Sequence, residues 1–106
     1  MKGQFEVRYT DAARVDLLRL FDFLLDRAST VEELNDAELA TNAIEAAVEG
    51  QLSRSPFIYR KVGDNPFRRE LVIPFRAAGY VALYEIEAGA VVNVVAVRHQ
   101  REDDYY

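Results

Sequence analysis

The chain has 106 residues, half of them apolar and 29% charged, with a formal net charge of -5. That length supports one domain, residues 1–106, around a single core, and the composition is that of a folded protein rather than a disordered one. With no cysteine and one histidine, disulfides and thiolate metal sites are excluded, any transition-metal site is short of ligands, and neither metal nor cofactor is expected.

No stretch approaches the roughly 20 apolar residues that span a bilayer. The opening Met1-Lys2-Gly3-Gln4-Phe5 lacks the apolar run of a signal peptide, so a cytoplasmic protein is expected.

Phe5, Val7 and Tyr9 alternate with Glu6, Arg8 and Thr10, the period of a strand with one buried face. Thr10 offers a side-chain oxygen at a helix N-cap, and Asp11 suits a first turn. Ala13, Leu17, Leu20, Phe21, Leu24 and Ala28 then recur at spacings of three and four, predicting an amphipathic helix. Leu18 and Leu25 widen its stripe, so more than one neighbour is expected to touch it. Thr30 and Glu33 fit a capping box that starts a second helix, whose apolar face is Ala37, Ala40, Ile44, Ala47, Val48 and Leu52. Its alanines permit close approach to the first helix in an antiparallel hairpin. Pro56 predicts an end near Ser53, and residues 54–67, with Gly63, Asn65 and Pro66, read as a loop.

Three apolar runs follow, Arg68 to Ile73, Gly79 to Tyr84 and Val94 to Arg101, separated by turn-forming residues. They predict a three-stranded antiparallel meander. The order is β-α-α-β-β-β, an α+β fold in which the first strand joins the meander and the hairpin covers one face of a four-stranded, mainly antiparallel sheet. Pro74 belongs at a strand end or on an edge.

Charge is unevenly placed. Residues 1–53 carry a net -6, residues 54–76 a net +4, and residues 77–106 a net -3. The acidic total weighs against a broad nucleic-acid surface or sequence-specific nucleic-acid binding, and leaves room for a compact basic patch.

In this order the residues resemble the RelE/ParE superfamily of bacterial type II toxins. The resemblance is carried by the opening strand, Ala13 with Asp16-Leu17, Leu52 before Pro56, Arg68-Arg69-Glu70-Leu71, Gly79-Tyr80 with Tyr84, and Val97-Arg98-His99-Gln100-Arg101. The chain is most similar to the ParE branch, also described as plasmid-stabilisation proteins. That resemblance implies a toxin neutralised by a cognate antitoxin, acting on DNA gyrase by binding. The alternative it carries is a metal-independent endoribonuclease of the RelE type that cleaves mRNA on the ribosome. A third reading is a non-toxic relative that retains only antitoxin binding. RelE-like members place lysines on the strand that here reads Leu71-Val72-Ile73-Pro74, and an arginine after the Gly-Tyr pair, where this chain has Val81. Both departures favour ParE.

Arg68, Arg69, Arg98, His99 and Arg101 are the candidate target-binding residues. For a ribonuclease, His99 would move the proton while Arg101 with Arg69 or Arg68 stabilised the phosphorane-like charge. Arg68 and Arg69 must point to opposite faces of a strand, and the one outside the site is expected to pair with an acidic helix residue. Leu18, Phe23 and Leu25 on the first helix, with Tyr80 and Tyr84, are candidates for binding the antitoxin. Against these stand structural roles: closing a strand for His99, pairing with Glu102, Asp103 and Asp104 for Arg98 and Arg101, and core packing for the two tyrosines. Tyr105 and Tyr106 are offered either to the antitoxin groove or to solvent.

Overall fold

A computed structural model describes residues 4–76 and 78–101, so the expectations placed on Glu102 to Tyr106 lie outside the described residues. The elements are β1 (Glu6–Tyr9), α1 (Asp11–Arg27), α2 (Val31–Leu52), β2 (Arg60–Val62), β3 (Asn65–Phe75), β4 (Ala78–Glu87) and β5 (Val91–His99). No described helix is long and apolar enough to cross a membrane.

Both helix starts are set by threonine. Thr10 is extended, and its hydroxyl accepts the Ala13 N–H at 3.1 Å. Thr30 does the same for Glu33 at 3.0 Å. The Glu33 carboxylate reaches one residue further back than a simple capping box, accepting the N–H and the hydroxyl of Ser29. These donors hold its pKa below the ordinary carboxylate value, the Ser29 backbone bond first. On α2, Ala37, Ala40, Ile44, Val48 and Leu52 are buried, and α1 buries Ala13, Leu17 and Leu20 against them and the sheet.

The sheet has five strands in the order β1-β5-β4-β3-β2, one more than predicted. The extra strand is β2, which lies with the start of β3 inside the segment read as a loop. Gly63, at φ 69, turns the chain between Val62 and its partner Asn65, a conformation glycine adopts without a Cβ clash. Three residues are too few to show alternation. Pro66 falls in the irregular stretch between the Val62–Asn65 and Lys61–Arg69 pairs, where the ladder is interrupted. Pro74 pairs with Gly79 near the far end of β3, beyond the last β2 pair at Glu70. A Cβ on Gly79 would stand 2.7 Å from the Ile73 carbonyl oxygen, so the hairpin tip admits only glycine there.

β1 joins the edge of β5 in parallel, Glu6 opposite Val91 through Tyr9 opposite Val94. Where β1 stops, α1 takes over the open edge. Thr10 donates its N–H to the Val94 carbonyl at 2.9 Å, and buried Asp16 accepts the N–H of Val97 at 2.9 Å.

Between these two contacts β5 carries a bulge. Leu83 faces Ala96 and Tyr84 faces Val94, leaving Val95 without an opposite residue. The extra residue shifts the side-chain phase, so the helix-side core takes Val92 and Val94 and then Val97. Continued two residues on, that phase puts His99, and not Arg98, on the helix side.

Candidate functional site

The end of β5, the outer part of α1 and the β3–β4 hairpin enclose a cleft of about 300 Å³ lined by Arg19, Leu20, Phe23, Leu24, Tyr80, His99 and Arg101. A second hollow of about 340 Å³ shares Leu24, Tyr80 and His99 and runs on to Arg27, Asp36, Phe75 and Arg76. The two form one groove with an apolar floor and guanidiniums along its rim.

His99 stands opposite Tyr80 in the ladder, and the rings meet edge to face at 5.5 Å. Its Nδ1 accepts the Arg101 N–H at 3.1 Å, which places the proton of a neutral ring on Nε2. Tyr80 is 5% exposed, and desolvation raises the pKa of its phenol. Buried beneath the groove, it is a floor residue and a poor acid.

The predicted arginine set does not converge. The Arg98 guanidinium folds back on its own strand end, donating to the His99 and Gln100 carbonyls. Arg68 lies opposite Glu85 and is ion-paired with it at 2.7 Å, so its acidic partner comes from a strand and not, as expected, from a helix. Arg69 donates to the carbonyls of Tyr59 and Pro66, both at 2.8 Å, and stacks over Phe57. The ladder puts His99 at Tyr80 and Arg68 at Glu85, five β4 residues apart and therefore about 17 Å. The ribonuclease set of His99, Arg101, Arg69 and Arg68 is thus split between two ends of the sheet.

The antitoxin candidates also divide. Leu18 and Phe23 are 64% and 50% exposed on α1, beside Val15 at 61%, so α2 does not cover this face. Leu25 is half-buried. Tyr84 is fully buried, and its hydroxyl donates to the Pro56 carbonyl at 2.5 Å. It presents no surface to a partner, and its place among the binding residues is corrected to the core.

Sequence reasoning missed Arg19, Arg27 and Arg76. The first two had a signal: Arg19, Phe23 and Arg27 are spaced by four on α1 and share one face, with the Arg27 guanidinium 4.6 Å from the centre of the Phe23 ring. Arg76 gave none. It sits at φ 57 in the β3–β4 turn, bridged to Asp36 of α2 at 2.6 Å and resting over Phe75.

Residues 7–104 match the family described as the ParE toxin of the type II toxin–antitoxin system parDE. The chain belongs to that family. Among solved structures, this ParE-family fold is shared with one described as the chromosomal ParDE toxin–antitoxin system from P. aeruginosa, at TM-score 0.68 and 13% identity over 92% of this chain and 98% of that one. It is shared also with the toxin–antitoxin complex RelBE2 from Mycobacterium tuberculosis, at TM-score 0.64 and 21% identity over 96% and 98%. A doubly substituted E. coli toxin RelE bound to an antitoxin RelB peptide aligns at TM-score 0.52 and 23% identity over 93% and 85%. No curated protein sequence matches. At these identities the structural likenesses concern the fold, while the family match is what marks the chain as a type II toxin–antitoxin toxin.

Proposed function

We propose that this ParE-family chain acts in the cytoplasm by binding DNA gyrase, without cutting a bond itself, and is neutralised by a cognate antitoxin. The observation that carries the reading is the composition of the groove at His99. Its floor is Leu20, Phe23, Leu24 and Tyr80, an adhesive surface for a protein, while Arg68 and Arg69 lie at the other end of the strand ladder. A phosphoryl transition state needs its cations at one point. The strand that would carry catalytic lysines instead buries Leu71 and Ile73, and Val81, after the Gly-Tyr pair, is 2% exposed.

For the antitoxin, the uncovered α1 face with Val15, Leu18 and Phe23 adjoins the groove over Tyr80 and His99. One apolar segment laid along α1 would cover both, the helix-in-groove mode of capture. Two structures sharing the fold are described as a toxin–antitoxin complex and as a toxin with an antitoxin peptide, which supports a partner of this kind.

A second reading keeps one specific support: His99, Tyr80, Arg19 and Arg101 line a single cleft, so an imidazole does stand near two guanidiniums. Purified protein in a gyrase supercoiling assay, run beside a ribosome-programmed cleavage assay, separates the two. Loss of supercoiling with intact transcripts is the expected result. Cleavage at codons with gyrase unaffected would replace the gyrase reading with the ribonuclease one.

A further inference from the structure

We infer that the end of the sheet remote from His99 is a second protein-docking surface, fitted to an acidic segment with an apolar anchor. The apolar part is an exposed aromatic cluster. Phe57 and Phe67 meet edge to face at 6.1 Å, Phe5 meets Phe57 at 6.3 Å, and Phe57, Phe67 and Ile58 are 46%, 51% and 71% exposed. Contiguous exposed aromatics on a small domain mark a contact surface. They border an open hollow of about 550 Å³ closed on the far side by Ile86 and the β4–β5 turn at Gly89, room for one large apolar side chain.

The charge around it is unresolved within the described residues. Lys61 of β2 stands directly opposite Arg69 of β3, and like charges facing each other across a ladder are unfavourable. Arg69 spends its N–H groups on the Tyr59 and Pro66 carbonyls and stacks its guanidinium 5.5 Å from the Phe57 ring centre. Among the described residues no carboxylate is ion-paired with Lys61 or Arg69. Arg54 is exposed one residue past Ser53, whose carbonyl accepts the Phe5 N–H. The acidic groups at this end include Asp64 in the β2–β3 turn, Glu87 at the rim of the hollow, and Glu70 and Glu85, which are ion-paired with Arg60 and Arg68.

The occupant follows from complementarity. Of the six cations in residues 54–76, Arg60, Arg68 and Arg76 are ion-paired and Arg76 belongs to the opposite end of the sheet, so the attraction for an acidic segment rests on Arg54, Lys61 and Arg69. An oligonucleotide, charged at every residue along its length, would run past this small patch onto the acidic remainder of the chain, whereas a protein segment can confine its carboxylates to it and seat an apolar side chain in the hollow. Phe67 and Phe75 are eight residues apart on β3, about 26 Å, so this surface remains accessible while the His99 groove is filled.

The test uses the full-length, isotope-labelled protein and three probes: a synthetic eight-residue peptide of Asp and Glu carrying one Phe and one Leu, its lysine counterpart, and oligo-dT. With the acidic peptide at about 1 mM, a weak-binding range, the amides of Phe57, Lys61, Phe67 and Arg69 should shift while those of Tyr80 and His99 stay in place. The lysine peptide should leave all of them unmoved. Lys61→Glu and Phe67→Ser, each with a dispersed spectrum of the folded protein, should each weaken the response about fivefold, roughly 1 kcal/mol. Shifts centred on Tyr80 and His99, a stronger response to oligo-dT, or no response to the acidic peptide would each overturn the inference.

Discussion

One carboxylate oxygen of Asp16, on α1, accepts the backbone N–H of Val97 at 2.9 Å inside the protein. The contact lies beyond the end of β1, on an edge of β5 that would otherwise be left open, and two residues before His99. Asp16→Ala should therefore leave a buried N–H unpaired and lower unfolding stability by about 2 kcal/mol. Asp16→Asn retains an acceptor and should lose clearly less, as read by urea denaturation of the two variants side by side.

Tyr84 and Leu18 should separate stability from binding. Tyr84→Phe removes the donor to the buried Pro56 carbonyl and should cost about 1–2 kcal/mol, with antitoxin affinity within twofold of wild type. Leu18→Glu, on the exposed α1 face, should leave stability within about 0.5 kcal/mol. It should weaken antitoxin binding about tenfold or more. Thermal melts and calorimetric titration with the antitoxin check both halves.

Tyr9 makes a prediction against intuition. Its hydroxyl is buried with no hydrogen-bond partner among the described residues, and desolvation, followed by the charges of Glu45 and Glu49, pushes its pKa to about 12. Removing an unsatisfied hydroxyl relieves a desolvation cost, so Tyr9→Phe should be neutral or stabilising by up to about 1 kcal/mol. The unfolded phenol ionises near 10 and the folded one near 12, so the wild type holds this group's contribution below pH 10 and loses it as pH rises between those values. The variant should lose less stability over that window, seen in denaturation midpoints measured across it.

His99→Ala should leave growth inhibition within a few-fold, because a binding surface loses one contact. Proton transfer by the same ring would be worth about a hundredfold or more. Titrating inducer against colony formation, with protein levels matched, distinguishes the two.

The helices were legible because their signals are local. Thr10 and Thr30 cap at the predicted positions, and the spacing of apolar residues on α2 matches its buried face except at Ala47, which is half-buried. The sheet was less so. β2 is only three residues long, and the parallel attachment of β1 depends on contacts far apart in the chain. The uninterrupted Val-Val-Asn-Val-Val-Ala-Val of β5 hides its bulge, since apolar residues in both phases erase the alternation that would reveal it. The grouping of Arg68 and Arg69 with His99 fails for a different reason: β3 and β5 both run antiparallel to β4, so the start of one and the end of the other lie at opposite ends of the ladder.

The surplus residue at Val95 decides which functional group the molecule offers at its business end. Were Val95 drawn into the ladder, every residue after it would move up by one and Arg98, not His99, would stand opposite Tyr80, so that a guanidinium replaced the imidazole in the groove. Losing that one codon instead leaves Ala96 opposite Leu83 and His99 opposite Tyr80, so the strand can shed its extra residue without disturbing its terminal chemistry.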